Sequence, residues 1–287
     1  MTEAVQARRA FLLESQNSDG GWGYFPGKQS WLEPTTYALL ALHGDAAAKA
    51  KVDRAFQLIQ SWQLPDGAWK PNAVVETPSW AAALALTVHA VRGVFDDHHR
   101  RGLESLLRVT GYENSPLFRM AHFLKPKLVE LDPSLKAWPW LPDTTSWIEP
   151  TAHSLVALKL SRKKTKNDAL QSRISDGEQM ILTRRCSDGG WNYGNHRVLG
   201  EDLPSYPETT GIALLGLRGM AHQSLDRSIE VAKKQLGATR SPLAQTWLRI
   251  GLRTHGAEAP PLPTNYPVKA DILLSALEVI AETGVLA

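Results

Sequence analysis

The chain has 287 residues, enough for one large domain or two small ones. Hydrophobic residues make up 43%, charged residues 21%, and the net charge is +3. That is too apolar for a disordered chain, and no run of about 18 uncharged apolar residues is present to cross a membrane. The single cysteine, Cys186, excludes an intramolecular disulfide and a multi-cysteine zinc knuckle. Ten tryptophans against six phenylalanines form an excess that needs a structural reason.

From the N-terminus, Glu3, Arg8, Arg9 and Glu14 interrupt any apolar signal core, so a cytoplasmic location is expected. Then comes Gln16-Asn17-Ser18-Asp19-Gly20-Gly21-Trp22, a Q-x3-G-x-W block, followed by Glu33-Pro34-Thr35-Thr36-Tyr37 and an Ala/Leu run to Leu42. An acid, a proline and threonines before an apolar run predict a helix start, with Pro at the first helical position and the acid near the free amides. The helix that follows is apolar on nearly all sides, which predicts burial all round.

Val52, Ala55, Phe56, Ile59 and Trp62 recur at helical spacing with Asp53, Arg54, Gln57 and Gln60 between them, so an amphipathic surface helix is predicted. A second block, Gln63 to Trp69, precedes Thr77-Pro78-Ser79-Trp80 and an apolar run to Leu86. Residues 111–147 break the pattern. They include Leu117, Phe118, Met120, Phe123 and Leu124, read as a lid or core helix, or alternatively as a contact with a membrane surface. Lys136-Ala137-Trp138-Pro139-Trp140 is a worn block, read with Trp140 as its structural tryptophan alongside Trp22, Trp69 and Trp191.

The next helix start is Glu149-Pro150-Thr151-Ala152-His153, running to Leu158. The basic run Arg162-Lys163-Lys164-Lys166 reads as a solvated helix end, and no nucleic-acid partner is expected. Asp176-Gly177-Glu178-Gln179 is taken as chance at a helix start. Arg185 to Trp191 repeats the block with Arg for Gln, and Glu208-Thr209-Thr210 starts a helix to Leu217. Leu225 to Leu236 is amphipathic, Ser241 to Leu252 forms a fifth pair with it, and Asp271 to Glu282 supplies a closing helix. No run of strands is predicted.

Each unit is thus an amphipathic helix, a glycine-rich turn with Trp, and an apolar helix. Such pairs cannot bury their apolar members alone and must stack. The expectation is an all-α fold spanning residues 1–287 as one domain: a single α/α toroid of concentric inner and outer helices, with about five to six helical hairpins.

The Q-x3-G-x-W blocks and alternating apolar helices resemble the prenyltransferase/squalene-oxidase repeat superfamily over roughly residues 5–255. That family includes squalene–hopene and related class II terpene cyclases, protein prenyltransferases and complement-type thioester domains. The resemblance implies the toroid but not the chemistry. Class II cyclases protonate an alkene with the middle Asp of a D-x-D-D motif at an inner-helix start. Here the aligned slots read Trp31-Leu32-Glu33-Pro34-Thr35, Trp147-Ile148-Glu149-Pro150-Thr151 and Tyr206-Pro207-Glu208-Thr209-Thr210. One carboxylate remains in each, as Glu, without an assisting Asp pair. The Asp-x-Cys order of the prenyltransferase zinc site is absent, as is the Cys of a thioester, so no metal and no cofactor is expected.

Glu33, Glu149 and Glu208 therefore read either as helix-start carboxylates favoured by the helix dipole or as acids around a cavity mouth, with Glu149 and Glu208, which flank the insert, the preferred acids. Trp31, Trp147 and Tyr206 share one register two places before them and are candidates to line a ligand cavity, together with Tyr37, Trp80 and His153. The functional expectation is a terpene-cyclase-like protein that binds an isoprenoid or similar apolar ligand and cyclises it from a Glu acid. Two alternatives stand beside it: a carbohydrate-active enzyme with paired Glu, and a toroid scaffold without catalysis.

Overall fold

A computed structural model describes residues 2–124, 132–165, 167–261 and 270–286. Residues 125–131 of the expected insert and Lys166 of the basic run lie outside the described residues. The chain falls into two compact units, Met1–Ser105 with Pro260–Leu286, and Leu106–Ala259.

In the first unit, α1 (Glu3–Glu14) and α3 (Lys49–Ser61) are the amphipathic members. The apolar members are α2 (Leu32–Ala41), α4 (Ala82–Val91) and α12 (Ile272–Thr283). Helix α2 packs between α4 and α12, and α1 packs on α12. Buried Arg8 of α1 pairs with buried Glu278 of α12. The amphipathic α5 (Asp97–Arg108) carries the chain into the second unit.

In the second unit, α7 (Ile148–Ser161), α9 (Pro207–Gly216) and α11 (Pro242–Thr254) form a second row, with α9 in the middle. Helices α8 (Asp168–Thr183) and α10 (Asp226–Ala238) flank it. Nearly every residue of α7 and α9 is buried, as all-round apolarity requires. The short α6 (Pro116–Leu124) buries none of its residues. Leu117, Met120, Phe123 and Leu124 are all exposed, so α6 is not a core helix. The described strands are one two-residue hairpin, β1 (Arg197–Val198) with β2 (Glu201–Asp202), in keeping with the expectation of no run of strands. The Asp176–Gln179 stretch lies inside α8 and is not idle. Glu178 pairs with Lys159 at 2.6 Å, and the same ammonium donates to the carbonyls of Gly216 and Arg218.

Candidate functional site

The tryptophan blocks hold the starts of the apolar helices by one repeated set of bonds. Trp22, Trp138 and Trp191 are fully buried, and each indole N–H donates to a carbonyl: Leu12, Leu106 and Ile181. Each tryptophan's backbone amide donates to a threonine hydroxyl two residues after the helix-start Glu: Thr35 at 2.9 Å, Thr151 at 3.2 Å and Thr210 at 3.1 Å. Each tryptophan carbonyl accepts the amide of the aromatic before the Glu: Trp31, Trp147 or Tyr206. Turn and helix start are thereby locked in register.

This register corrects the reading of the worn block. Trp138, not Trp140, is the structural tryptophan there, and Trp140 is only half-buried. The block glutamines bond backbone carbonyls. Gln16 donates to the carbonyls of Gly20 and Lys51, and Gln63 to those of Gly67 and His98. They close the turn and tie it to the following amphipathic helix.

Glu33, Glu149 and Glu208 each occupy the second helical position and are half-buried. Pro34 and Pro150 sit at the third position rather than the first, where the missing N–H is equally without loss. The preceding Trp31, Trp147 and Tyr206 are extended N-cap residues that make no side-chain cap bond.

In the first unit the Tyr24 hydroxyl donates to Glu33 Oε2 at 2.6 Å, and the Tyr24 and Trp31 rings lie 6.2 Å apart. Burial raises the Glu33 carboxyl above its ordinary range, and the Tyr24 bond opposes that rise. Burial and the neighbouring carboxylate also raise the Tyr24 phenol, so it stays a hydrogen-bond donor. A desolvated carboxyl with a donor on its conjugate base is the form that a Brønsted acid needs.

In the second unit the Tyr193 and Tyr206 rings lie 5.3 Å apart, both partly exposed. Burial and the charges of Glu208 and Glu149 raise the Tyr193 phenol, which hydrogen-bonds to Glu208. Ser241 Oγ also donates to Glu208, to Oε1 at 3.3 Å. The Tyr193 carbonyl accepts the amide of Ile148, and Gly194 lies against the Trp147 indole. Glu149, Glu208, Trp147 and Tyr206 are thus gathered around Tyr193.

Tyr24 and Tyr193 were not singled out by the sequence reading, although both stand two places after a block tryptophan. Trp140 and Pro71 hold that same position in the other two blocks. The carbonyls of Pro71, Tyr193 and Tyr24 accept the amides of Leu32, Ile148 and Ile272, so this position stitches one helix start to the next.

The remaining candidates are placed less favourably. Tyr37 is fully buried in α2. His153 is buried in α7 edge-on to Trp247 at 5.7 Å, and burial pushes its pKa down to about 3, so it is neutral at ordinary pH. Trp80 is half-buried in the turn before α4 rather than in the helix. Among the described residues no cluster of three His, Cys, Asp or Glu could hold a metal.

The type II terpene cyclase MstE from Scytonema, in complex with geranylgeranyl dihydroxybenzoate, has a similar structure, with a TM-score of 0.58. It is 18% identical, and the likeness covers 98% of this chain and 77% of that one. The fold is all-α, as expected from the tryptophan blocks, and similar to that of the type II terpene cyclase. An α-amylase from Clostridium perfringens has a similar structure as well, with a TM-score of 0.63 at 12% identity over 98% of this chain and 97% of that one. The fold alone therefore does not choose a chemistry. The drimenyl diphosphate synthase of Streptantibioticus cattleyicolor is 40% identical over 69 residues, 24% of this chain and 13% of that enzyme. The shared stretch is a small part of that enzyme's length. No family profile matches the chain.

Proposed function

We propose that this chain binds an isoprenoid or similar apolar ligand and starts its cyclisation by proton transfer from a helix-start glutamate, with Glu33 as the leading acid. The Tyr24–Glu33 pair carries the reading. Protonating an alkene demands a carboxyl that desolvation keeps protonated, and a donor that steadies the carboxylate once the proton has left. The aromatic face of Trp31 beside Tyr24 suits the carbocation that follows. The proton added to the alkene is matched by one lost from a neighbouring carbon, so the reaction is an isomerisation with no net reagent. The aligned stretch of drimenyl diphosphate synthase supports this class over a carbohydrate enzyme or an inert scaffold, and the cyclase likeness is compatible with it.

Glu149 and Glu208 are the second candidates, with Tyr193 in the place that Tyr24 holds beside Glu33. A cytoplasmic location with peripheral membrane contact belongs to the same proposal. The exposed face of α6 bears Arg119 and His122 and no acid, which suits an anionic lipid surface as a source of apolar ligand.

The test is incubation with a panel of linear prenyl substrates and analysis of the products. Cyclised products are expected from the parent and from Tyr24→Phe at a reduced rate, and none from Glu33→Gln. Full activity in Glu33→Gln with loss in Glu149→Gln or Glu208→Gln would move the acid to the second unit. No product from any substrate would remove the catalytic reading.

A further inference from the structure

In the blocks that end at Trp22 and Trp191 the residue before the N-cap aromatic is a serine held by the acid of the Asp-Gly turn. Ser30 Oγ donates to Asp19 Oδ1 at 2.8 Å. Ser205 Oγ donates to Asp188 Oδ2 at 2.7 Å. Each aspartate stands three residues before its block tryptophan. In the worn block that position is Leu135, which has no acid to offer, yet Ser146 stands before Trp147 as Ser30 and Ser205 stand before Trp31 and Tyr206.

Glu113, in the 3-10 turn Tyr112–Asn114, fills the gap from outside the block. It is only 1% exposed. Its carboxylate accepts the Ser146 amide at 3.1 and 3.2 Å and the Ser146 hydroxyl, and Arg184 pairs with it at 3.5 Å. Arg184 also donates to the Ser146 carbonyl at 2.6 Å and to its Oγ at 3.0 Å. Every polar atom of Ser146 is therefore held by this buried pair. The next three residues are Trp147, Ile148 and Glu149, the start of α7.

We propose that Glu113, with Arg184 as its counter-ion, is a positioning residue for Trp147 and Glu149, and replaces the turn aspartate that this repeat lacks. A fixed carboxylate on both the amide and the hydroxyl of Ser146 sets the direction in which the chain enters α7. Without it, Arg184 is left as a buried charge and the helix start is released. The consequence for catalysis rests on the reading of Glu149 as a site residue, but the positioning itself does not.

Hydrogen exchange on the full chain tests the positioning without a substrate. In Glu113→Gln the amides of residues 147–149 are expected to exchange about tenfold faster, with those of 31–33, Tyr206 and Glu208 unchanged. Ser146→Ala keeps the Glu113–Arg184 pair and is expected to give a smaller acceleration at the same three amides, which covers the case in which Glu113→Gln fails to fold. Unchanged protection at 147–149 in both variants, or faster exchange spread evenly over Leu106–Ala259, would overturn the proposal. Where Glu149 rather than Glu33 serves as the acid, Glu113→Gln should lower kcat in the prenyl panel by about tenfold with KM nearly unchanged. If exchange responds as expected and turnover does not, the positioning stands and Glu149 loses its place in the site.

Discussion

The Tyr24 hydroxyl lies 2.6 Å from Glu33 Oε2, and the two influences on that carboxyl oppose each other: burial raises its pKa and the tyrosine bond lowers it. A carboxyl whose folded pKa is raised binds more protons in the folded state than in the unfolded one. Its contribution to stability is therefore full at low pH and is lost as pH rises from the ordinary value of 4.5 through the folded value. Glu33→Gln removes that slope. The melting temperature of the Gln variant relative to the parent is expected to climb with pH across this window. Tyr24→Phe removes the bond that lowers the pKa, so its window should extend to higher pH than the parent's. Melting curves between pH 4 and 8 check both, and a difference between Gln variant and parent that does not move with pH would refute the shift.

The tryptophan of the third block offers a second comparison. Trp138 is buried, donates to the Leu106 carbonyl at 2.9 Å, and its ring lies 4.2 Å from the Arg173 guanidinium carbon. Trp140 is only half-buried. Trp138→Ala is expected to cost about 3–5 kcal/mol and Trp140→Ala about 1 kcal/mol or less in denaturant unfolding. Equal costs would mean that the register drawn from Thr151 is wrong.

That register shows where the sequence could be read and where it could not. Gln16 to Trp22 and Arg185 to Trp191 carry their own turn acid and glycines, so both the turn and the apolar helix after it were legible from local pattern alone. Lys136 to Trp140 has lost those residues, and two tryptophans then compete for one position. The bonds of Trp138 with Leu106, Thr151 and Trp147 decide between them. Glu113 was invisible for a related reason. Its partners Ser146 and Arg184 are far along the chain, and no spacing rule joins a 3-10 turn to a helix start and a distant helix end. Tyr24 and Tyr193 were recoverable, because both follow a block tryptophan at the same interval.

The ion pair between α1 and α12 has a marked asymmetry. Arg8 and Glu278 are almost wholly buried, and Arg8 also donates to the Ala4 carbonyl at 3.0 Å. Removing one partner strands a charge in the interior, so Arg8→Met or Glu278→Leu alone is expected to cost about 3–5 kcal/mol. Removing both with apolar residues of similar volume should cost far less than the sum. A double-mutant cycle in urea measures the difference. Simple additivity of the two single losses would show that the pair does not act as a unit.

The contact between α9 and α11 rests on two facing glycines. A methyl group on Gly211 would run into the backbone of Trp247 and Leu248, and one on Gly251 would run into the backbone of Gly211. Neither obstacle is a side chain that could swing away, so the helices must separate to admit it. Overpacking of this kind typically costs about 1–3 kcal/mol, and a rigid backbone obstacle places Gly211→Ala at the upper end. Gly237, in α10, meets nothing within van der Waals reach, and alanine is the better helix former. Gly237→Ala is therefore expected to stabilise the protein by up to about 1 kcal/mol. Thermal unfolding of the two variants side by side checks the packing of the α7–α9–α11 row. A Gly211→Ala protein as stable as the parent would mean that α9 and α11 do not approach through these residues.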